Sequence, residues 1–187
     1  MVVDYLEREN TAVFAYIYCE YSHRGEQTTV DLLSSLLQQL LQRSTDSILP
    51  GAVTAMYETH TKDNTRPTLS EVTHNLQDLV SKIPVFYVVV DALDECATSD
   101  DDALVFISAL RALGPGLRLL CTSRFSTTFE SYFSVADKLE ISAHGEDIAM
   151  FLESQMQQQT TLARLIRADQ PLKDEIADTI IGESHGM

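Results

Sequence analysis

Pro84-Val85-Phe86-Tyr87-Val88-Val89-Val90-Asp91-Ala92-Leu93-Asp94-Glu95 is the stretch that decides the fold of this 187-residue chain. Six apolar or aromatic residues in a row run straight into three carboxylates packed within five positions. A run that short and that rich in β-branched side chains reads as a strand buried on both faces, which implies a parallel sheet covered by helices. Acids at the end of such a strand stand at the carboxyl edge of the sheet, where open α/β folds bind ligands. Carboxylates there are the expected tools for holding Mg²⁺ and polarising a water beside a nucleotide phosphate.

Upstream of this strand, residues 2 to 8 read as helix, and Ala12 to Cys19 as a second interior strand, apolar throughout. A polar loop, Ser22 to Gln27, leads to Thr28 or Thr29 as a helix N-cap. Val30, Leu33, Leu36, Leu37, Leu40 and Leu41 then recur every three or four residues, one apolar stripe that must lie against a sheet or another helix. A weaker helix covers Ala52 to Thr61. After the loop Asn64 to Pro67, Thr68-Leu69-Ser70-Glu71 forms a capping box that opens a helix burying Val72, Leu76, Leu79 and Val80.

Downstream, the polar run Thr98 to Asp102 enters a helix carrying Leu104, Val105, Ile107 and Leu110, with acids suited to its first turn. Gly114-Pro115-Gly116 ends it, and Leu117 to Cys121 reads as a third strand, followed by Thr122-Ser123-Arg124. A short helix over 128–133 and a short strand over Lys138 to Ile141 come next; from His144 onward the pattern is helical. Alternating strands and helices followed by helices alone predict a doubly wound parallel sheet over 1–142 and the beginning of a helical lid subdomain over 143–187.

Composition narrows the partners. Thirteen Lys and Arg against 28 Asp and Glu give a formal charge of −15, a surface that repels nucleic acid and anionic lipid. A nucleotide still suits such a chain, because Mg²⁺ and helix N-terminal amides supply the local positive potential. No apolar run is long enough to cross a bilayer, and Met1 to Arg8 is neither a basic nor an apolar leader segment, so the expected address is cytoplasmic. Cys19, Cys96 and Cys121 lie far apart in sequence, form no C-x-x-C, and read as small hydrophobes near strand ends in a reducing compartment. His23, His60, His74, His144 and His185 are scattered, without H-E-x-x-H or a nucleophile signature, and read as surface or capping residues.

Two constellations carry chemistry. Asp91 ends a central strand where a hard carboxylate can serve a phosphate-bound Mg²⁺, and Asp94 or Glu95 can orient or deprotonate a water. Arg124 also stands at a strand's carboxyl edge, where its guanidinium can fork onto phosphate oxygens and report a γ-phosphate. Val88 to Cys96 together with Leu119 to Arg124 resembles the NACHT family of signal-transduction ATPases, of the STAND class, nearest to the fungal NACHT and nephrocystin-like N-terminal NTPase domains. The resemblance extends over essentially the whole chain. It implies a three-layer P-loop NTPase-like parallel sheet in which Asp91 (in the Walker B segment) ligates Mg²⁺, Asp94 and Glu95 handle the attacking water, and Arg124 senses phosphate. It also implies ATP or GTP as ligand, self-association on activation, and effector and repeat domains as partners within a longer protein.

The chain departs from that pattern at one place. No G-x-x-x-x-G-K-[ST] occurs in the 187 residues; Gly25-Glu26 and Gly145-Glu146 place acids where a phosphate needs amides and a Lys. The resemblance therefore implies a sheet lacking its P-loop strand, a chain that begins just past its phosphate cradle, and an isolated chain without NTPase activity, marginal in stability. The alternative is a non-enzymatic interaction domain that keeps the fold. A receiver-like phosphoacceptor would want an acidic pair after the first strand and a Lys after the last, and Cys19-Glu20 and Ile141-Ser142 offer little toward it.

Overall fold

The computed structural model describes residues 2–9, 13–23, 27–43, 50–96, 100–142, 144–159, 163–166 and 169–184. Gly25-Glu26, Thr98-Ser99 and His185 lie outside them, as does the side chain of His23. The chain divides into two compact units, Met1–Ser134 and Val135–Met187.

In the first unit the elements are α1 (Val2–Glu9), β1 (Val13–Tyr18), a 3₁₀ turn (Tyr21–His23), α2 (Thr29–Arg43), α3 (Gly51–Asp63), α4 (Leu69–Val80), β2 (Phe86–Asp91), a 3₁₀ turn (Leu93–Glu95), α5 (Asp100–Arg111), β3 (Leu117–Cys121) and α6 (Thr127–Tyr132). The strands form one parallel sheet in the order β1-β2-β3, with Tyr18 opposite Asp91 and Val90 opposite Cys121. Helical crossovers between parallel neighbours make this the α/β architecture that the alternating pattern predicts.

Strand alternation sorts the side chains. Ala15, Ile17, Val88 and Val90 point to one face, where they join Leu33, Leu36 and Leu40 of α2, Val72 and Leu76 of α4, and Phe106, Ile107 and Leu110 of α5 in a single buried core. The leucines of α2 recur at three and four residues, so one helical face reaches this core. On the other face Phe14 and Val89 meet Val3 and Leu6 of α1. Helices thus lie on both sides, three layers in all, but unequally.

The local signals work as the residues dictate. Thr68 Oγ1 accepts from the Glu71 amide while Glu71 accepts from the Thr68 amide at 2.8 Å, the reciprocal box that opens α4. These Thr68 donors and His60 hold the Glu71 carboxyl down at about 2. Thr28 and Asp31 repeat the device at α2, with the Thr28 amide donating to Asp31 at 3.2 Å. Gln39 of α2 covers the outer edge of β1, its amide donating to the Tyr16 carbonyl at 2.8 Å and accepting from the Tyr16 amide at 3.0 Å. Edge groups that would otherwise invite another strand are thereby paired. Gly116 packs so tightly that a Cβ there would stand 2.9 Å from the Pro84 carbonyl oxygen.

In the second unit α7 (Gly145–Gln158) and α8 (Gln170–Ser184) pack together, with Lys173 paired to Glu153 at 2.7 Å. The strand expected over Lys138 to Ile141 does not form, and Leu139 and Ile141 are 84% and 85% exposed. Alternation in four residues specifies a strand only when a neighbour supplies backbone partners, and 138–141 pair with no described strand. The segment lies in the second unit, whose start at Val135 precedes the 142/143 division suggested by the sequence.

Candidate functional site

β2 delivers Asp91 to the carboxyl edge of the sheet because six residues of regular strand end there. The next residue, Ala92, adopts φ 55° and ψ 51°, the left-handed region that a residue with a Cβ seldom enters. Thr122, one residue past β3, holds that turn. Its Oγ1 donates to Asp91 Oδ1 and accepts from the Ala92 amide at 2.9 Å, and its carbonyl accepts from the Leu93 amide at 2.8 Å. The fully buried Leu93 anchors the 3₁₀ turn that follows, so Asp94 and Glu95 are carried on a short step beside Arg124.

Asp94, Glu95 and Arg124 form one network. Arg124 Nε donates to Asp94 Oδ2 at 2.5 Å and its backbone amide to Asp94 Oδ1 at 3.0 Å, while Nη2 reaches Glu95 Oε1 at 3.3 Å. The other Glu95 oxygen accepts from the Tyr21 amide at 3.1 Å. Burial opposes ionisation of Asp94, but the Arg124 donors outweigh it and hold the carboxyl below its ordinary value. The Arg124 guanidinium is in turn held more firmly protonated by Asp94. The three acids and the arginine singled out from sequence therefore meet at one edge of the sheet, in two subsites: Asp91 with Thr122, and Asp94 and Glu95 with Arg124.

Sequence reasoning missed the part that three residues play in this region. Thr122 was visible as the residue after a strand, yet its role depends on register between β2 and β3, which no local pattern carries. Cys19 and Cys96 were read as separate small hydrophobes. In the fold the Cys19 amide donates to the Asp91 carbonyl at 3.0 Å, and both cysteine side chains are buried in one core. Interaction with Cys96 and burial push the Cys19 thiol up, interaction with Cys19 lowers that of Cys96, and burial pushes Cys121 up to about 12.

His60 and His74 lie elsewhere: His60 bridges Thr65 Oγ1 at 2.7 Å and Glu71 Oε1 at 3.2 Å, and His74 approaches Asp78 at 3.5 Å. A cavity of about 700 Å³ between α2 and α3 is floored by Leu37, Leu41, Val53 and Met56, and none of the acidic-edge residues lines it. Among the described residues no helix is long and apolar enough to cross a membrane.

The family model described as nephrocystin 3, N-terminal, matches residues 1–124, which include the acidic turn and Arg124. No curated protein matches the chain. Among solved structures, a Walker-type ATPase of Pyrococcus abyssi is similar, with 19% identity, a TM-score of 0.44, and 92% of this chain covered. This chain spans about half of that ATPase, 52% of its length.

Proposed function

From a chain that belongs to the nephrocystin 3 N-terminal family, we propose a nucleotide-gated signalling switch of the NACHT type, represented here by its acidic strand edge and sensor arginine. The observation that carries this reading is the double engagement of Arg124 by Asp94 and Glu95. The guanidinium is satisfied by two carboxylates. A γ-phosphate offers the planar guanidinium of Arg124 a competing pair of anionic oxygens. Transfer of Arg124 to that phosphate would release Glu95 to orient or deprotonate a water, coupling ligand identity to the position of the turn.

Mg²⁺ belongs to this reading through Asp91, in the Walker B position. With Asp94 and Glu95 turned to Arg124, the available donor is one strand-end carboxylate beside a threonine hydroxyl. Among the described residues no group of three or more His, Cys, Asp or Glu is placed to hold a metal ion. That set fits a Mg²⁺ that arrives on nucleotide phosphates and keeps several waters, and does not fit an all-protein cage. When bound, the ion would neutralise phosphate charge; Asp91 would orient it.

The 187 residues contain no G-x-x-x-x-G-K-[ST], so the Lys and amides that cradle β- and γ-phosphates are lacking and the chain alone should turn over neither ATP nor GTP. Self-association, effector and repeat domains, and a cytoplasmic address complete the proposal by resemblance. The absent cradle also favours a second reading, a non-enzymatic interaction domain.

The test is turnover of ATP and GTP with Mg²⁺, alongside equilibrium binding of both nucleotides. Turnover abolished by Glu95→Gln would overturn the prediction of inactivity. Nucleotide binding weakened by Asp91→Ala and Arg124→Ala supports the switch; a protein partner bound equally well by both variants, with no nucleotide bound, supports the interaction domain.

A further inference from the structure

We propose that the cavity between α2 and α3 is a binding site for an uncharged, largely apolar small molecule. Two faces of regular helix enclose it. On α2 it meets Ser34, Leu37, Gln38, Leu41 and Gln42. The other helix repeats that spacing, with Val53, Met56, Tyr57, His60 and Thr61. Residues three and four apart lie on one side of a helix, so two turns of each helix look into the same space. Such faces ordinarily pack against each other; here they leave about 700 Å³ between them, a volume in the range of small-molecule pockets. The loop after α3 adds Asn64, Thr65 and Pro67 as a third wall, which suits a compact molecule.

Contacts with α4 explain why the gap stays open. Met56 and His60 are α3 side chains long enough to fill it, and α4 holds both. Glu71 Oε1 lies 3.2 Å from His60 Nε2, and Asn75 Nδ2 donates to Met56 Sδ at 3.4 Å. The same contacts leave a polar group unspent. Asn75 is only 6% exposed, and its Nδ2 also donates to the Glu71 carbonyl at 2.9 Å. Its Oδ1 accepts from no group among the described residues. A buried acceptor without a donor is costly, and only the flexible thioether of Met56 has to move for a donor on a bound molecule to approach it.

The lining sets the chemical class. Of the thirteen described residues around the cavity none is Asp, Glu, Lys or Arg, in a chain where those types make up 22%. The floor is apolar, and the exposed amides of Gln38 and Gln42 stand beside it. A carboxylate, sulfonate or phosphate entering here would leave water with no cation to meet it, in a chain of formal charge −15. An aromatic or aliphatic body with one N–H or O–H donor meets no such cost. None of the acidic-edge residues lines the cavity, so the site is separate from the proposed nucleotide switch.

Two fluorophores that share one body test this. N-phenyl-1-naphthylamine is uncharged and carries a single N–H; 8-anilinonaphthalene-1-sulfonate adds a sulfonate. Each is titrated into the full chain at about pH 8, where an ordinary histidine is neutral, and its fluorescence followed. The neutral probe should saturate at one site per chain, and the sulfonate should bind at least about tenfold more weakly. Gln38→Trp and Gln42→Trp build an indole into the cavity from exposed positions. Each should weaken the neutral probe about tenfold with the urea midpoint unchanged, and if one variant lowers that midpoint the other decides. Leu120→Lys, exposed on β3, should leave binding unchanged. Equal or tighter binding of the sulfonate would overturn the uncharged class. Binding that does not saturate, that survives the tryptophans, or that is lost in Leu120→Lys would overturn the site. No readout uses nucleotide, so failure here and failure of the switch reading are separable.

Discussion

On one face of the sheet Ala15, Ile17, Val88 and Val90 disappear beneath α2, α4 and α5; on the other, Phe14 and Val89 meet Val3 and Leu6 of α1. That second face leaves Tyr18, Tyr87 and Leu120 at 43%, 37% and 42% exposure. Because side chains alternate, one run of residues serves both faces, and Val90 belongs to the closed core while Asp91 belongs to the open side. Thr122 follows the same alternation from β3, which is why its hydroxyl meets Asp91. The closed face holds the strands in place, and the polar chemistry develops at the carboxyl end of the face that is less fully covered. Substitutions on the two faces should therefore separate cleanly in what they damage.

The largest effect is expected in the closed core. Leu36 of α2 is fully buried against the sheet, and Leu36→Ala removes its contacts and leaves a cavity among side chains that cannot all collapse. The expected loss is about 2–5 kcal/mol in urea unfolding, with the slope preserved. A loss below about 1 kcal/mol would mean that this face is loosely packed, and the contrast between faces would fail.

A smaller effect is expected where the faces meet. Thr122→Val keeps the shape of the side chain but removes the hydroxyl that Asp91 and the Ala92 amide share. The loss should be about 1 kcal/mol, that of a partly exposed hydrogen-bonded pair, with Thr122→Ser restoring most of it. Nuclear magnetic resonance shifts of Ala92 and Leu93 should move in the valine variant, while those of Leu36 stay in place. Equal disturbance in both places would show that the hydroxyl supports the core as a whole.

The sequence made the closed face legible because its signals are local: the leucine spacing of α2, the Thr68–Glu71 box, and the apolar run that became β2. β1 and β2 were read as interior strands, and that holds for most of their positions taken together, but Tyr18 and Tyr87 are less covered than a run of apolar residues suggests. Apolar identity records what a side chain tolerates, and not which neighbour arrives to cover it. At the site, Asp91, Asp94, Glu95 and Arg124 could be found from their places after strands. Their division into two subsites could not, since it follows from Ala92 entering the left-handed region under the hold of Thr122, and alanine carries no preference for that region. The bond from the Cys19 amide to the Asp91 carbonyl is non-local in the same way. Lys138 to Ile141 shows the converse: a pattern that is locally correct and forms no strand, for want of a described partner.

The smallest effect tests the open face itself. Leu120 and Leu36 are the same residue type, so a difference between their alanine variants reports environment and not chemistry. Leu120 projects from β3 with 42% of its surface exposed, so truncation removes little buried area and opens no closed cavity. Leu120→Ala should change stability by no more than about 0.5 kcal/mol, and Leu120→Lys should be tolerated because a long stem can lie along the sheet with its ammonium in water. A Leu120→Ala loss approaching that of Leu36→Ala would require that something covers this face in solution. A second copy is the first candidate to examine, by repeating the unfolding at several protein concentrations: a midpoint that rises with concentration would assign the cover to self-association, and a constant one would place it within the chain.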